Sequence, residues 1–200
     1  MSFICRSMGR HLGIVVLAWT LPVIAACGIE SDPSIADFYQ ASSVHLKGGK
    51  NAEPAFYDRK LQLEATGALA GLGEGNVLIT MTAKANATAT CTSPGGGTQP
   101  PGQNPAPVTV SGTQLIDASK IDTNGNTPFS LKTDGPDTPI PGAPGCPNQK
   151  WTEDITDLSF TSAVITVEQG GTTVLTVTCT FSPATSDGAV PGSTVSCTSS

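Results

Sequence analysis

Histidine is nearly missing from this chain: His11 and His45 are the two among 200 residues. Nucleophilic hydrolysis needs a base held beside the nucleophile. Neither a second candidate base in the body of the chain nor a Gly-x-Ser-x-Gly turn is present. His45 stands in a weakly periodic stretch and reads as a solvent-facing polar residue. No cysteine pair has Cys-x-x-Cys spacing, which speaks against a zinc site or a thioredoxin-type redox centre. Aromatic residues make up 5% of the chain, too few for the stacking platforms of a typical carbohydrate module. Charged residues make up 13% and acids outnumber bases, 16 to 10. A scattered acidic surface without a basic patch excludes nucleic acid, whose affinity rests on phosphate neutralisation. The expectation is a chain with no catalytic residues, no cofactor and no metal.

What is present begins at the N-terminus. Arg6 and Arg10 precede an apolar run from Leu12 to Ala26, interrupted by Trp19, Thr20 and Pro22, and the first acid is Glu30. A spanning helix needs about 20 mostly apolar residues. This run is shorter, and it has the basic, apolar, small-residue order of an export signal. It ends in Ile24-Ala25-Ala26-Cys27, which resembles the cleavage box of bacterial lipoproteins. The resemblance implies cleavage before Cys27, lipidation of its thiol by acyl chains such as palmitate, and anchoring in a membrane of the cell envelope. Ordinary cleavage, leaving a secreted protein with no lipid, and an uncleaved anchor are the alternatives. The expected organisation is a signal over residues 1–26, a tether over 27–42 and one domain over 43–200. Without residues 1–26 the chain keeps all its acids and loses two arginines, for a net charge of −8.

Four cysteines then remain beside Cys27: Cys91, Cys146, Cys179 and Cys197. An even set in an exported chain reads as two disulfides. Three pairings are open, and Cys91–Cys146 with Cys179–Cys197 is favoured. Cys91 opens one Pro/Gly-rich segment and Cys146 closes another, so one bridge staples both. Cys197 would tie the C-terminal tail back to the strand of Cys179.

The periodicity is that of strands. Residues 43–58 hold a short strand and a turn at Gly48-Gly49. Leu61, Leu63 and Ala65 alternate with polar neighbours, and 67–76 (GALAGLGEGN) reads as a turn. From Val77 to Cys91 the odd positions are apolar and the even positions polar apart from Leu78, so one face is buried and one wet, in one long bent strand or in two strands joined by an odd-length loop. Residues 93–107 and 133–148 read as Pro/Gly loops. Between them lie a strand over 108–116, one helical turn at Asp117–Lys120 and a short strand at Phe129 and Leu131. Leu158 and Phe160 are out of phase with Ala163, Ile165 and Val167, which calls for a bulge or a sheet switch near Thr161-Ser162. Leu175, Val177, Cys179 and Phe181 share a face. Opposing Val167 to Leu175 requires an odd loop, and three residues with a left-handed glycine fit. Many short β-branched strands with Gly/Pro turns and almost no helix give an all-β sandwich with immunoglobulin-like topology.

Three local clusters carry possible chemistry. Glu153, Asp154 and Asp157 are the one acidic group in a strand; alternation places Glu153 and Asp157 on one face and Asp154 on the other. That is a charged strand edge more than a glycosidase pair, which needs two carboxyls across a cleft. Asp122-Thr123-Asn124-Gly125-Asn126 has oxygens at alternate positions like half a calcium loop, but lacks the closing glutamate. Asp134 and Asp137 would complete it only if the fold brought them close. Trp151, with Tyr39 or Tyr57, is a candidate sugar platform, or else core packing on a disulfide.

Over 46–51 (LKGGKN), 65–73 (ATGALAGLG) and 144–148 (PGCPN) the chain also looks like small exported bacterial proteins of uncharacterised function. That similarity implies export and a single domain and carries over no site residue. The reading is a non-enzymatic envelope lipoprotein with a structural or interaction role, partnered by the membrane through its lipid and by an envelope protein. The alternative is an extracellular ligand- or glycan-binding module.

Overall fold

In the computed structural model, residues 44–49, 51–100, 106–122 and 126–200 are described. The first strands are β1 (His45–Leu46), β2 (Ala55–Asp58), β3 (Leu63–Ala70), β4 (Val77–Thr92), β5 (Thr98–Gln99) and β6 (Val108–Ile116). A single 3-10 turn at Ala118–Lys120 follows, as the sequence led us to expect. Then come β7 (Thr127–Lys132), β8 (Ile140–Pro141), β9 (Thr152–Gln169), β10 (Thr172–Phe181), β11 (Gly188–Ala189) and β12 (Val195–Ser199). The expected signal and tether, Cys27 included, lie outside the described residues.

Two antiparallel sheets face each other. In the smaller, β3 is central: β2 and β1 pair with one of its edges and β7 with the other. β11 extends the sheet beyond β2. In the larger, β4 and β9 form the central ladder; β6 and β5 line the far edge of β4, and β10 and β8 the far edge of β9. β12 closes the sheet beside β10. Taking the seven main strands in chain order, the first, second and fifth (β2, β3, β7) form one sheet. The fourth, third, sixth and seventh (β6, β4, β9, β10) form the other. This is the immunoglobulin-like division into A-B-E and C′-C-F-G, so the chain is an all-β sandwich of that topology. It differs from antibody domains in its staples, because the B and F equivalents, β3 and β9, carry no cysteine.

The alternation seen in the sequence builds the core. Val77, Ile79, Met81, Ala83 and Ala85 of β4 are buried, and β4 is one uninterrupted strand. Leu63, Ala65 and Leu69 of β3 and Phe129 and Leu131 of β7 meet them from the other sheet. The Phe56 and Phe181 rings pack edge to face at 5.0 Å between centroids, joining the two layers.

β9 carries two bulges, where the sequence led to one. The register passes from Lys84↔Ser162 to Ala85↔Phe160, leaving Thr161 over, which is the expected shift. It also passes from Thr88↔Asp157 to Ala89↔Ile155, leaving Thr156 over. Each extra threonine turns its hydroxyl onto the opposite strand: Thr161 Oγ1 bonds the carbonyl of Lys84 and Thr156 Oγ1 that of Thr88, both at 3.2 Å. The inward residues are therefore Ile155, then Leu158 and Phe160, then Ala163, Ile165 and Val167.

Three further local expectations change. Val167 does oppose Leu175, but the β9–β10 turn has two residues, Gly170 and Gly171, both left-handed (φ 61° and 79°). The odd residue is a bulge at Val174. Two successive positive φ values make the tight hairpin turn that matches strand twist, so the bulge carries the parity change. The 67–76 stretch is not all turn, because β3 continues to Ala70. Gly67 is the reason: it lies opposite Phe129, whose ring covers it so closely that a Cβ would stand 2.8 Å away. Finally, the two Pro/Gly segments are not wholly irregular. β5 and β8 return to pair with the end of the β4–β9 ladder.

Candidate functional site

Two disulfides fix the ends of the large sheet. Cys91, fully buried near the end of β4, is bonded to half-buried Cys146 in the 133–151 connection. The bridge pins the tip of the sandwich, where Thr98–Gln99 and Ile140–Pro141 flank the ladder. Cys179 and Cys197 face each other directly across β10 and β12 and are bonded. The free edge of β12 is capped, as the backbone N–H of Cys197 donates to the Glu53 carboxylate at 3.0 Å. A charged side chain on an edge strand blocks further strand addition.

The acidic trio of β9 does not converge. Glu153 is buried on the inward face, opposite Cys91 and Ile140. Asp154 is on the other face, where its carboxylate accepts a hydrogen bond from Thr92 Oγ1 at 2.7 Å. The bulge at Thr156 inverts the alternation, so Asp157 is not on the face of Glu153, contrary to the simple count. The Asp122 loop closes on itself: the Asn126 N–H donates to Asp122 Oδ1 at 2.5 Å, while residues 123–125 lie outside the described residues. The Asp134 N–H donates to the Ser111 carbonyl at 2.7 Å and Asp137 is exposed. Among the described residues no group of three or more His, Cys, Asp or Glu is placed to hold a metal ion. His45 lies in β1 opposite Ala70. Trp151 is half-buried and stands outside the buried core, so the core-packing account does not hold for it. Tyr39 lies outside the described residues; Tyr57 is exposed and covered on one face by the Arg59 guanidinium, 4.5 Å from its ring centre.

The outward face of the large sheet is ordered. One row across four strands reads Thr113, Thr80, Thr166, Thr176. The next reads Ser111, Thr82, Val164, Thr178, Thr198, and the third Thr109, Lys84, Ser162, Thr180, Ser196. Lys84 is the one charge in these rows. The polar parity of the sequence made each strand's contribution legible; the register aligns them.

A second cluster had not been singled out. The edge of β9 between β8 and β10 is closed by two chain segments. The Leu158 N–H donates to the Lys60 carbonyl at 2.9 Å. The Phe160 N–H donates to Thr185 Oγ1 at 2.8 Å, and the Thr185 N–H donates to the Phe160 carbonyl at 2.9 Å. The same Thr185 hydroxyl donates to Oδ2 of Asp58, which is 2% exposed. The other Asp58 oxygen accepts the Lys60 N–H at 3.0 Å. Thr185 thus joins the two sheets. Burial pushes the Asp58 carboxyl above its ordinary range, against the lowering effect of Thr185 and Lys60. Burial also raises Asp157, helped by the neighbouring Asp187. The sequence did hold a signal here: in Ala55-Phe56-Tyr57-Asp58, alternation puts Asp58 on the face of the core residue Phe56.

Comparison with protein-family models, with curated proteins and with solved structures finds no match.

Proposed function

We propose that this chain is a non-enzymatic protein of the bacterial envelope, exported and held by lipid on Cys27, with a structural or interaction role. The two disulfides carry this reading. They belong to an oxidising compartment, which agrees with the export order of residues 6–27. No helix among the described residues is long and apolar enough to cross a membrane. The hydroxyl rows of the large sheet supply the interaction face. These rows carry one charge, that of Lys84, on a chain that is otherwise acidic.

Intact mass of the mature protein, before and after reduction, tests it. The expected result is an N-terminus at Cys27 carrying acyl mass, with four further thiols appearing on reduction. A mature N-terminus elsewhere, without acyl mass, overturns the lipid anchor and leaves a secreted sandwich.

A second reading, a glycan-binding module, is favoured by half-buried Trp151 near the stapled tip. It expects glycan-array binding that is lost in Trp151→Ala. Array silence together with co-purifying envelope proteins decides for the first reading.

A further inference from the structure

We propose that the outward face of the smaller sheet is the side this chain lays against an anionic lipid bilayer. The proposal rests on the lipid-anchor reading and adds an orientation to it.

Register and alternation define the face. Tyr57, Glu64 and Lys132 form one row across β2, β3 and β7. Their chain neighbours Phe56, Leu63, Ala65 and Leu131 are buried, so the row itself is turned outward. Two rows further along β3, the N–H of Lys47 donates to the Ala68 carbonyl at 2.7 Å. Lys47 follows the buried Leu46 and is exposed, so it stands on the same face, diagonal to Lys132. Arg59 reaches back over the first row, its guanidinium 4.5 Å from the Tyr57 ring centre and its Nε on the Glu64 carboxylate.

The charge on this face is opposite to that of the chain. Lys47, Arg59 and Lys132 stand there against Glu64, while the whole chain holds 16 acids to 10 bases. Two acids close by are turned elsewhere. Glu53 takes the N–H of Cys197 at the edge of the other sheet. Asp58 is buried on the inward side and bonded by Thr185. Asp187 lies at the rim, just before β11. Anionic headgroups attract basic side chains within a Debye length of the surface and repel acids. An acidic domain held at such a surface therefore turns its basic face down. Tyr57 suits that contact, with an apolar ring and a polar tip for the headgroup boundary.

The point of attachment agrees. Residues 28–43 separate Cys27 from Val44, and Val44 is three residues before Lys47. The anchored end thus enters the sandwich on the strand that leads into this face. A connection of that length spans at most roughly 55 Å, enough for the domain to present any side, so charge and not tether length selects the side. With the smaller sheet down, the hydroxyl rows of the larger sheet point away from the bilayer.

Amine labelling read by mass spectrometry tests the orientation, with the mature protein held on vesicles. Intact mass is taken first. If it shows no acyl chains, the anchor reading falls, and the Cys27 thiol is coupled to a maleimide lipid so that the face is still tested. The vesicles are phosphatidylcholine alone or an equal mixture with phosphatidylglycerol. On the mixture, Lys47 and Lys132 are expected to label more slowly than on phosphatidylcholine, with Lys84 unchanged, and added salt is expected to restore their rates. Lys132→Gln is expected to weaken the protection of Lys47 about fivefold at unchanged Tm, the share of one basic side chain. Lys84→Gln is expected to leave that protection intact. Equal labelling of Lys47, Lys132 and Lys84 on both kinds of vesicle overturns the proposal. So does protection of Lys84 in their place, or protection of Lys47 that persists in salt and on phosphatidylcholine.

Discussion

Gly112 of β6 lies against the carbonyl of Lys132 at the end of β7, so closely that a Cβ on Gly112 would stand 2.1 Å from that oxygen. One residue before Gly112 and two after Lys132, the Asp134 N–H bonds the Ser111 carbonyl. The two sheets therefore meet as backbone against backbone along this edge. Gly112→Ala is expected to destabilise by about 3 kcal/mol, because backbone and not a flexible side chain must yield. Urea unfolding with an unchanged m-value is the check.

Opening the Cys91–Cys146 bridge releases a sequence separation of 55 residues, and opening Cys179–Cys197 releases 18. The chain-entropy model gives about 4 and about 3 kcal/mol respectively. Paired Cys→Ser variants are expected to lose stability in that order. Limited proteolysis should then cut first within 93–107 or 133–148 in the former, and near the C-terminus in the latter.

Thr127 is expected to mark a position where substitution helps. Its side chain is 2% exposed and its hydroxyl has no hydrogen-bond partner. Thr127→Val keeps the shape and removes the unpaired group, so a gain of about 1 kcal/mol is expected, read as a raised Tm. An unchanged or lowered Tm would show that the hydroxyl does have a partner in solution.

Glu64 and Arg59 make a surface ion pair at 2.5 Å. The Arg59 hydrogen bond holds the Glu64 carboxyl below its ordinary 4.5. A lowered carboxyl contributes stability that is complete above the ordinary value and is lost as pH falls through the folded one. Both side chains are reached by solvent, so Glu64→Gln is expected to cost only about 0.5 kcal/mol near pH 7. That cost should vanish in strong acid and in high salt.

Glu53→Ala removes the cap on the Cys197 N–H and bares the β12 edge. Self-association is expected to rise with concentration, measured by light scattering after size exclusion. The fold itself should be unaffected, and a strictly monomeric variant would refute the capping role.

The sequence made the large sheet readable because side-chain parity is a local property. The odd residues from Val77 to Cys91 state which way β4 faces without reference to any partner. The jump between Phe160 and Ala163 announced Thr161 for the same reason. Thr156 escaped because Ile155 is the one apolar residue before it on the inward face, beside the charged Glu153, too short an apolar run to establish a phase. The extent of β3 escaped because Gly67 signals a turn locally, and the Phe129 ring that holds it in the sheet arrives from far along the chain. The Asp58–Thr185–Phe160 link depends on three distant segments, and only the position of Asp58 in its strand pointed toward it. The outward hydroxyl rows were visible strand by strand, while their alignment depends on register. The N-terminal motif Ile24-Ala25-Ala26-Cys27 lies outside the described residues.

Thr156 and Thr161 are each the residue that a bulge leaves over, so the partners on either side stay matched: Ala89 faces Ile155, Ala87 faces Leu158, Ala85 faces Phe160 and Ala83 faces Ala163. Each bulge absorbs one extra residue at the place where it occurs. Deleting either threonine alone would close its bulge and leave Glu153, Ile155, Leu158, Phe160 and Ala163 facing as before. The length of β9 can therefore change by single residues at these two points without rewriting the core beneath it.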